Sequence, residues 1–184
     1  MPSLKLVGFV GSLRASSINR MLMNALVELA PQAGLEIAVL EIGDVPHFNA
    51  DLEAAMPAPA AALKKAVSES DGVVFVTPEY NRAMPGVLKN ALDWLSRPYG
   101  QNSLAGKPVL VTGATSGGIG TSLAQYQLKQ VLLYLDAHLM GQPELHIGGA
   151  DKRFTEGKLT DEKTEQFLLD ALQKFATHAR RFKA

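Results

Sequence analysis

Leu4-Lys5-Leu6-Val7-Gly8-Phe9-Val10 runs directly into Gly11-Ser12-Leu13-Arg14-Ala15-Ser16-Ser17-Ile18-Asn19. The first stretch is short, rich in Leu and Val and closed by glycine, the pattern of a strand buried in a sheet. Beyond it Ile18, Leu22, Ala25, Leu26 and Leu29 recur at helical spacing, which predicts an amphipathic helix. The turn between them therefore opens a helix, where unpaired backbone N–H groups and a partial positive charge favour an anion. Ser12, Arg14, Ser17 and Asn19 add hydroxyl, guanidinium and amide donors around the same point, a set suited to a phosphate. The plainer alternative is a loop in which Ser17 caps the helix and Arg14 lies in solvent. The turn has no G-x-G-x-x-G and no G-K-[ST], so it is neither a dinucleotide fingerprint nor a Walker A loop.

Three further stretches share the strand pattern: Glu36–Ile42, Gly72–Thr77 and Pro108–Gly113, rich in Val, Leu and Ile and bounded by Gly, Pro, Asp or Asn. Helical stripes lie between and after them: Leu63, Ala66 and Val67; Val87, Leu88, Ala91, Leu92 and Leu95; Leu128, Val131, Leu132 and Leu135. Strands alternating with helices, and apolar on both faces, predict an α/β fold with a parallel sheet between two helical layers. A fifth strand is expected within Ala137–Ile147. A closing helix is expected over Thr160–Phe182, capped by Thr160 or Asp161, with Leu168, Leu172, Phe175, Ala179 and Phe182 as its stripe. No composition shift or repeat divides the chain, so residues 1–184 are read as one domain.

Eighteen basic residues balance eighteen acidic ones, so the net positive field that drives binding to nucleic acid is missing. There is no cysteine, which excludes disulfides, thiolate catalysis and Cys-ligated zinc or iron–sulfur clusters. Redox work would need a borrowed cofactor. The start of the sequence leads into a strand rather than a leader-like apolar region, and no apolar run approaches the roughly 20 residues a bilayer needs. A soluble, cytoplasmic protein with no membrane partner is the expectation.

Two more loops follow strands. Thr77-Pro78-Glu79-Tyr80-Asn81 leaves the third strand, at the edge where open α/β sheets bind ligands, and Met84-Pro85-Gly86 begins the next helix. Such a loop either runs its peptide groups along a flat heterocycle, with Tyr80 shielding a face, or is a simple turn with a surface tyrosine. Thr112-Gly113-Ala114-Thr115-Ser116-Gly117-Gly118-Ile119-Gly120 leaves the fourth strand and matches the T-G-x-x-x-G-I-G of short-chain dehydrogenases. That loop belongs after a first strand, too little chain follows it here, and no Y-x-x-x-K pair is present. Close backbone approach to a ligand seated over the first and third strands is the better account of its glycines. An anion cradle, a ledge for a planar ring and a glycine wall together fit FMN.

With G-S-L-R-x-x-S-x-N after the first strand, P-E-Y-N after the third and P-G-x-L-K-N-A-L-D-W in the next helix, the chain resembles, along nearly its whole length, the NADPH-dependent FMN reductases, which include quinone, chromate and azo-dye reductases. The resemblance implies a flavodoxin-like fold with a five-stranded parallel sheet of order 2-1-3-4-5. It implies that Ser12, Arg14, Ser17 and Asn19 hold the FMN phosphate. Pro78, Glu79, Tyr80 and Asn81 would line the isoalloxazine, and Ser116, Gly117 and Gly118 would close its other edge. Electrons would pass from NADPH or NADH to a soluble acceptor such as a quinone in two steps. No residue is assigned as a catalytic acid or base. The rivals are an electron-carrier flavodoxin, a class that tends to be acidic where this chain is neutral, and a flavin-binding regulatory module without turnover.

The remaining residues receive plainer roles. His47, His138, His146 and His178 have no i, i+4 pairing, so no metal site is expected. Asp93 and Trp94 are assigned to packing, and Lys89 and Asn90 to a helix surface. The helix containing Leu128 also carries Leu133 and Tyr134 off its stripe, with Leu123 and Tyr126 upstream. A second apolar face predicts a homodimer or homotetramer. Some relatives join an arginine to a tyrosine and a glutamate across subunits; here Tyr126 and Glu144 are kept and Leu123 occupies the arginine's place, so a tetramer is less secure than a dimer.

Overall fold

The computed structural model describes residues 2–183. Its elements follow the alternation in the sequence: β1 (Leu4–Val10), α1 (Ile18–Leu29), β2 (Leu35–Leu40), α2 (Ala58–Glu69), β3 (Gly72–Val76), α3 (Gly86–Leu95), β4 (Pro108–Ala114), α4 (Ser122–Tyr134), β5 (His138–Leu139), β6 (Leu145–Ile147), β7 (Phe154–Thr155), β8 (Lys158–Leu159) and α5 (Glu162–Arg180). The sheet is parallel in the order β2-β1-β3-β4-β5, the expected flavodoxin-like arrangement. Every residue of β3 and β4 is buried, as strands covered on both faces must be.

Side-chain alternation along β1 feeds two cores. Leu4, Leu6 and Val10 pack with Leu22 and Leu26 of α1 and with Leu168, Leu172 and Phe175 of α5. Val7 and Phe9 face Leu63, Leu88, Trp94, Leu128 and Leu132 on α2, α3 and α4. Phe9 stacks on Phe75 of the neighbouring strand at 5.1 Å, and each such buried aromatic contributes about 1.5–3 kcal/mol.

The structure departs from the sequence reading in four places. The fifth strand is two pieces, β5 and β6, both paired with β4. Gly141-Gln142-Pro143 falls in the interruption, and proline has no N–H to give to the ladder. A small antiparallel hairpin, β7–β8, precedes α5 and turns through Glu156 and Gly157, both at positive φ. Asn90 is not on the surface: it is buried, its Oδ1 accepts the Phe48 N–H at 2.7 Å, and its Nδ2 donates to the Val45 and Pro46 carbonyls. Trp94 Nε1 donates to the same Pro46 carbonyl at 2.8 Å, so α3 fixes the segment that follows β2. Asp161 caps α5, accepting from Thr164 N. Phe182, expected in the buried stripe, is exposed and stacks on His138 at 3.9 Å.

Candidate functional site

At the end of β1 the Gly11 N–H donates to Val76 O at 2.9 Å, and the chain then leaves the sheet. From Ser12 to Asn19 no backbone N–H has a partner among the described residues; Arg20 N is the first, donating to Ser17 O at 3.0 Å and to Ser17 Oγ at 3.3 Å. Ser17 is thus the N-cap of α1, and its own hydroxyl hydrogen stays available to a ligand. Ser12 is buried beside it. Arg14 is exposed, and its one hydrogen bond among the described residues is a long one, from Nη2 to Ser16 Oγ at 3.5 Å. Asn19 differs from the other three. Only 4% exposed, it accepts Ala114 N at 2.9 Å and donates to Ala114 O at 3.0 Å, clamping α1 to the end of β4 and leaving one amide hydrogen to spare.

The loop after β3 is a miniature hairpin. Tyr80 and Ala83 exchange two hydrogen bonds of 3.0 Å, and the residues between them, Asn81 and Arg82, have φ of 50° and 66°. This is the geometry of a two-residue turn with both central residues left-handed. The Asn81 and Arg82 N–H groups have no partner among the described residues. Pro78 is buried and Tyr80 half-exposed. Glu79 lines the cleft, yet its Oε2 accepts the Leu123 and Ala124 N–H groups at 3.0 and 3.1 Å.

The loop after β4 is braced from outside. Thr115 N donates to Ile147 O, Ala150 N to Thr115 O and Gly149 N to Gly117 O, each at 3.0 Å. Its glycines divide into two kinds. A side chain at Gly113 would strike Thr121 Oγ1 and the Thr77 carbonyl, and one at Gly120 would strike the backbone of His146. Approach within the protein, not to a ligand, demands those two, which corrects the expectation. Gly117 and Gly118 are exposed; a side chain at Gly118 would meet nothing within 4 Å and one at Gly117 only Thr115 Oγ1 at 4.0 Å, which leaves space a ligand would use.

Ser12, Arg14, Ser17, Asn19, Pro78, Glu79, Tyr80 and Ser116 line one cleft of about 140 Å3, together with Ile18, Ala114 and Thr115. Thr115 joins the lining without being among the residues the sequence assigns, although its place just beyond β4 marks it. Asn81, Gly117 and Gly118 stand at the loop tips outside the cleft. An apolar hollow of about 430 Å3 lined by Gly11, Leu13, Pro85, Gly86 and Val87 shares Arg14 and Tyr80 with the cleft. The residues present fit a phosphate ester carrying a flat ring: amides without partners among the described residues, two hydroxyls and an exposed guanidinium at one end, open glycine backbone and hairpin amides at the other.

The family model described as NADPH-dependent FMN reductase matches residues 4–152, which contain all three loops. The chain belongs to this family. Among FMN reductases and their relatives it is 43% identical to a 2-hydroxy-1,4-benzoquinone reductase from Burkholderia sp over 179 residues, 97% of each chain. It is 45% identical to a quinone reductase from Pseudomonas putida over 169 residues, 91% of this chain and 90% of the other. The solved structure of FerB, a flavoenzyme NAD(P)H:(acceptor) oxidoreductase from Paracoccus denitrificans, superposes with a TM-score of 0.91 at 44% identity, covering 97% and 98% of the two chains. The expectation of a flavin-dependent oxidoreductase is met.

In this FMN reductase the place of the family arginine, Leu123, is 41% exposed. Tyr126 OH donates to Glu144 Oε2 at 3.0 Å, and Lys129 Nζ pairs with Glu144 Oε1 at 2.7 Å. The Lys129 bond, with the Tyr126 bond beside it, holds the Glu144 carboxyl below its ordinary value despite partial desolvation. Glu144 in turn raises the Tyr126 phenol. A cation of the same chain thus satisfies the glutamate. No helix among the described residues is long and apolar enough to cross a membrane.

Proposed function

We propose that this chain, acting as one domain over residues 1–184, is a cytoplasmic FMN-dependent NAD(P)H:quinone reductase. One observation carries the reading. Among the described residues, an uninterrupted run of N–H groups without partners from Ser12 to Asn19, flanked by the exposed Arg14 guanidinium, faces the Pro78–Tyr80 ledge across a cleft. Ser12, Arg14, Ser17 and the spare Asn19 hydrogen hold the phosphate of FMN. Pro78, Glu79, Tyr80 and Asn81 border its ring on one side, and Ser116, Gly117 and Gly118 on the other. Bound FMN supplies two-electron hydride chemistry between NAD(P)H and an acceptor. The chain's own residues bind and orient: Arg14 neutralises phosphate charge, the Asn81 and Arg82 N–H groups offer fixed dipoles to an electron-rich ring edge, and the apolar hollow beside Tyr80 admits a small aromatic acceptor. The names of the relatives favour a quinone in that role. Chromatography of the flavin released from purified protein tests the assignment; FMN is expected, and FAD, or no flavin after reconstitution, would sink it. NADPH consumption in air with added quinone then separates turnover from electron carriage or flavin-dependent regulation.

The working unit we propose is a homodimer built on α4. Leu133 and Tyr134 are 70% and 86% exposed, with Leu123 and Tyr126 on the same helix also open. The closing helix does not cover them, because α5 packs with α1 on the opposite side of the sheet. Lys129 already pairs with Glu144, which weakens the case for the further contact a tetramer would use. Light scattering should give twice the chain mass, and Tyr134→Glu should lower it; a fully active monomer of the unmodified protein overturns the proposal.

A further inference from the structure

Helix α4 lacks a cap of its own. Thr121 is buried in a left-handed conformation, φ 61° and ψ 25°, and its Oγ1 accepts Gln125 Nε2 at 3.1 Å. The first-turn amides of Leu123 and Ala124 donate instead to Glu79, a residue of the loop after β3. A carboxylate is well placed there, since a helix N-terminus carries partial positive charge and unpaired donors. The same loop is tied to α4 a second time, one turn further on, where Met84 N donates to Gln127 Oε1 at 2.8 Å. Between the two ties stands the Tyr80–Ala83 hairpin. Asparagine tolerates the left-handed region, but arginine does so rarely, and φ of 66° at Arg82 persists only where the surroundings hold it.

We propose that Glu79 is a positioning residue: by capping α4 it fixes the hairpin to the helix behind the glycine loop, and so sets where the Asn81 and Arg82 amides meet the cofactor ring. The proposal rests on the FMN reading above. Glu79 thereby acts on the ring through backbone placement, with its carboxylate turned toward α4.

Two variants separate placement from charge. Glu79→Gln keeps an oxygen that can accept the Leu123 and Ala124 amides, Glu79→Ala removes it, and neither carries the charge. In the cofactor-free protein, hydrogen exchange at Tyr80, Ala83, Leu123 and Ala124 should quicken at least tenfold in Glu79→Ala and less than threefold in Glu79→Gln. With FMN, the dissociation constant should rise at least tenfold in Glu79→Ala and less than threefold in Glu79→Gln. The two-electron midpoint potential of Glu79→Ala should lie below that of Glu79→Gln by the equivalent of a tenfold change in preference for reduced FMN, about 30 mV. Equal behaviour of the two variants in these measurements, or unchanged exchange at Tyr80 and Ala83 in Glu79→Ala, overturns the proposal. Failure of the unmodified protein to bind FMN would instead overturn the functional reading, and the exchange experiment would still decide whether Glu79 holds the hairpin.

Discussion

Arg14→Ala should separate cofactor binding from folding more cleanly than any other change in the site. Arg14 is exposed and, among the described residues, has no carboxylate partner and makes one hydrogen bond, of 3.5 Å to Ser16, so its removal should alter the stability of the cofactor-free protein by no more than about 0.5 kcal/mol. Toward a phosphate the same guanidinium supplies charge-assisted hydrogen bonds, whose loss costs about 1.5–3 kcal/mol. At about 1.4 kcal/mol per decade the dissociation constant of FMN should rise roughly 10- to 150-fold. Quenching of flavin fluorescence on titration into cofactor-free protein measures the affinity, and urea unfolding with and without FMN measures the linkage. The variant should match the unmodified protein without FMN and fall below it when FMN is present. Arg14→Lys, which keeps charge without the planar fork, should recover part of the loss, and the deficit of Arg14→Ala should shrink as salt is raised. An unchanged affinity at low salt would refute the phosphate role, leaving Arg14 a solvated side chain beside an ordinary capped helix.

Asn19→Ala should instead destabilise the protein with or without FMN, by about 2–4 kcal/mol, because it strands both the N–H and the C=O of Ala114 in a buried position; urea midpoints check this. Gly118→Ala should leave the cofactor-free protein folded and weaken FMN binding, whereas Gly113→Ala should fail to reach a native thermal transition, since only the second places a methyl group against protein atoms. Glu144→Gln should lower stability at neutral pH by about 1 kcal/mol or less, as befits a half-open ion pair, and flatten the acid limb. The Glu144 carboxyl is depressed in the folded state, so its contribution is present above the ordinary glutamate value of about 4.3 and is lost as pH falls below it; denaturation followed from pH 7 to pH 3 reads both effects.

Most of this architecture is legible along the chain because each main element carries its own signal. The Val- and Leu-rich Gly72–Val76 and Pro108–Ala114, almost without polar side chains, read as interior strands of a sheet covered on both faces, and the stripes of α1 and α3 need no partner to be recognised. The turn after β1 is legible for a related reason: a strand and a helix joined by glycine, serine and arginine leave amide groups that nothing local can satisfy. The sequence is less informative wherever a residue's role depends on another loop. Asn90 sits in a helical pattern like any exposed amide, and only the fold brings Val45, Pro46 and Phe48 to it. Pro143 does not by itself mark a break, which shows only once β5 and β6 are both seen beside β4.

Glu79 shows the limit most sharply. In P-E-Y-N it reads as one more residue facing the ring, and the cap it provides belongs to a helix that begins 43 residues later. A capping residue is normally found by looking just before its helix; here that position is filled by Thr121 in a conformation that cannot cap, which is itself the signal that the cap comes from elsewhere. The fold therefore builds the ring side of the cleft from two loops, each incomplete alone. The hairpin depends on α4 to hold a turn its own residues disfavour, and α4 depends on the hairpin for its first-turn acceptor. With Leu133 and Tyr134 exposed on that same helix, a partner subunit seated there would press on the element that already orders the flavin ledge, so loss of the dimer should also loosen FMN, and Tyr134→Glu should lower mass and affinity together.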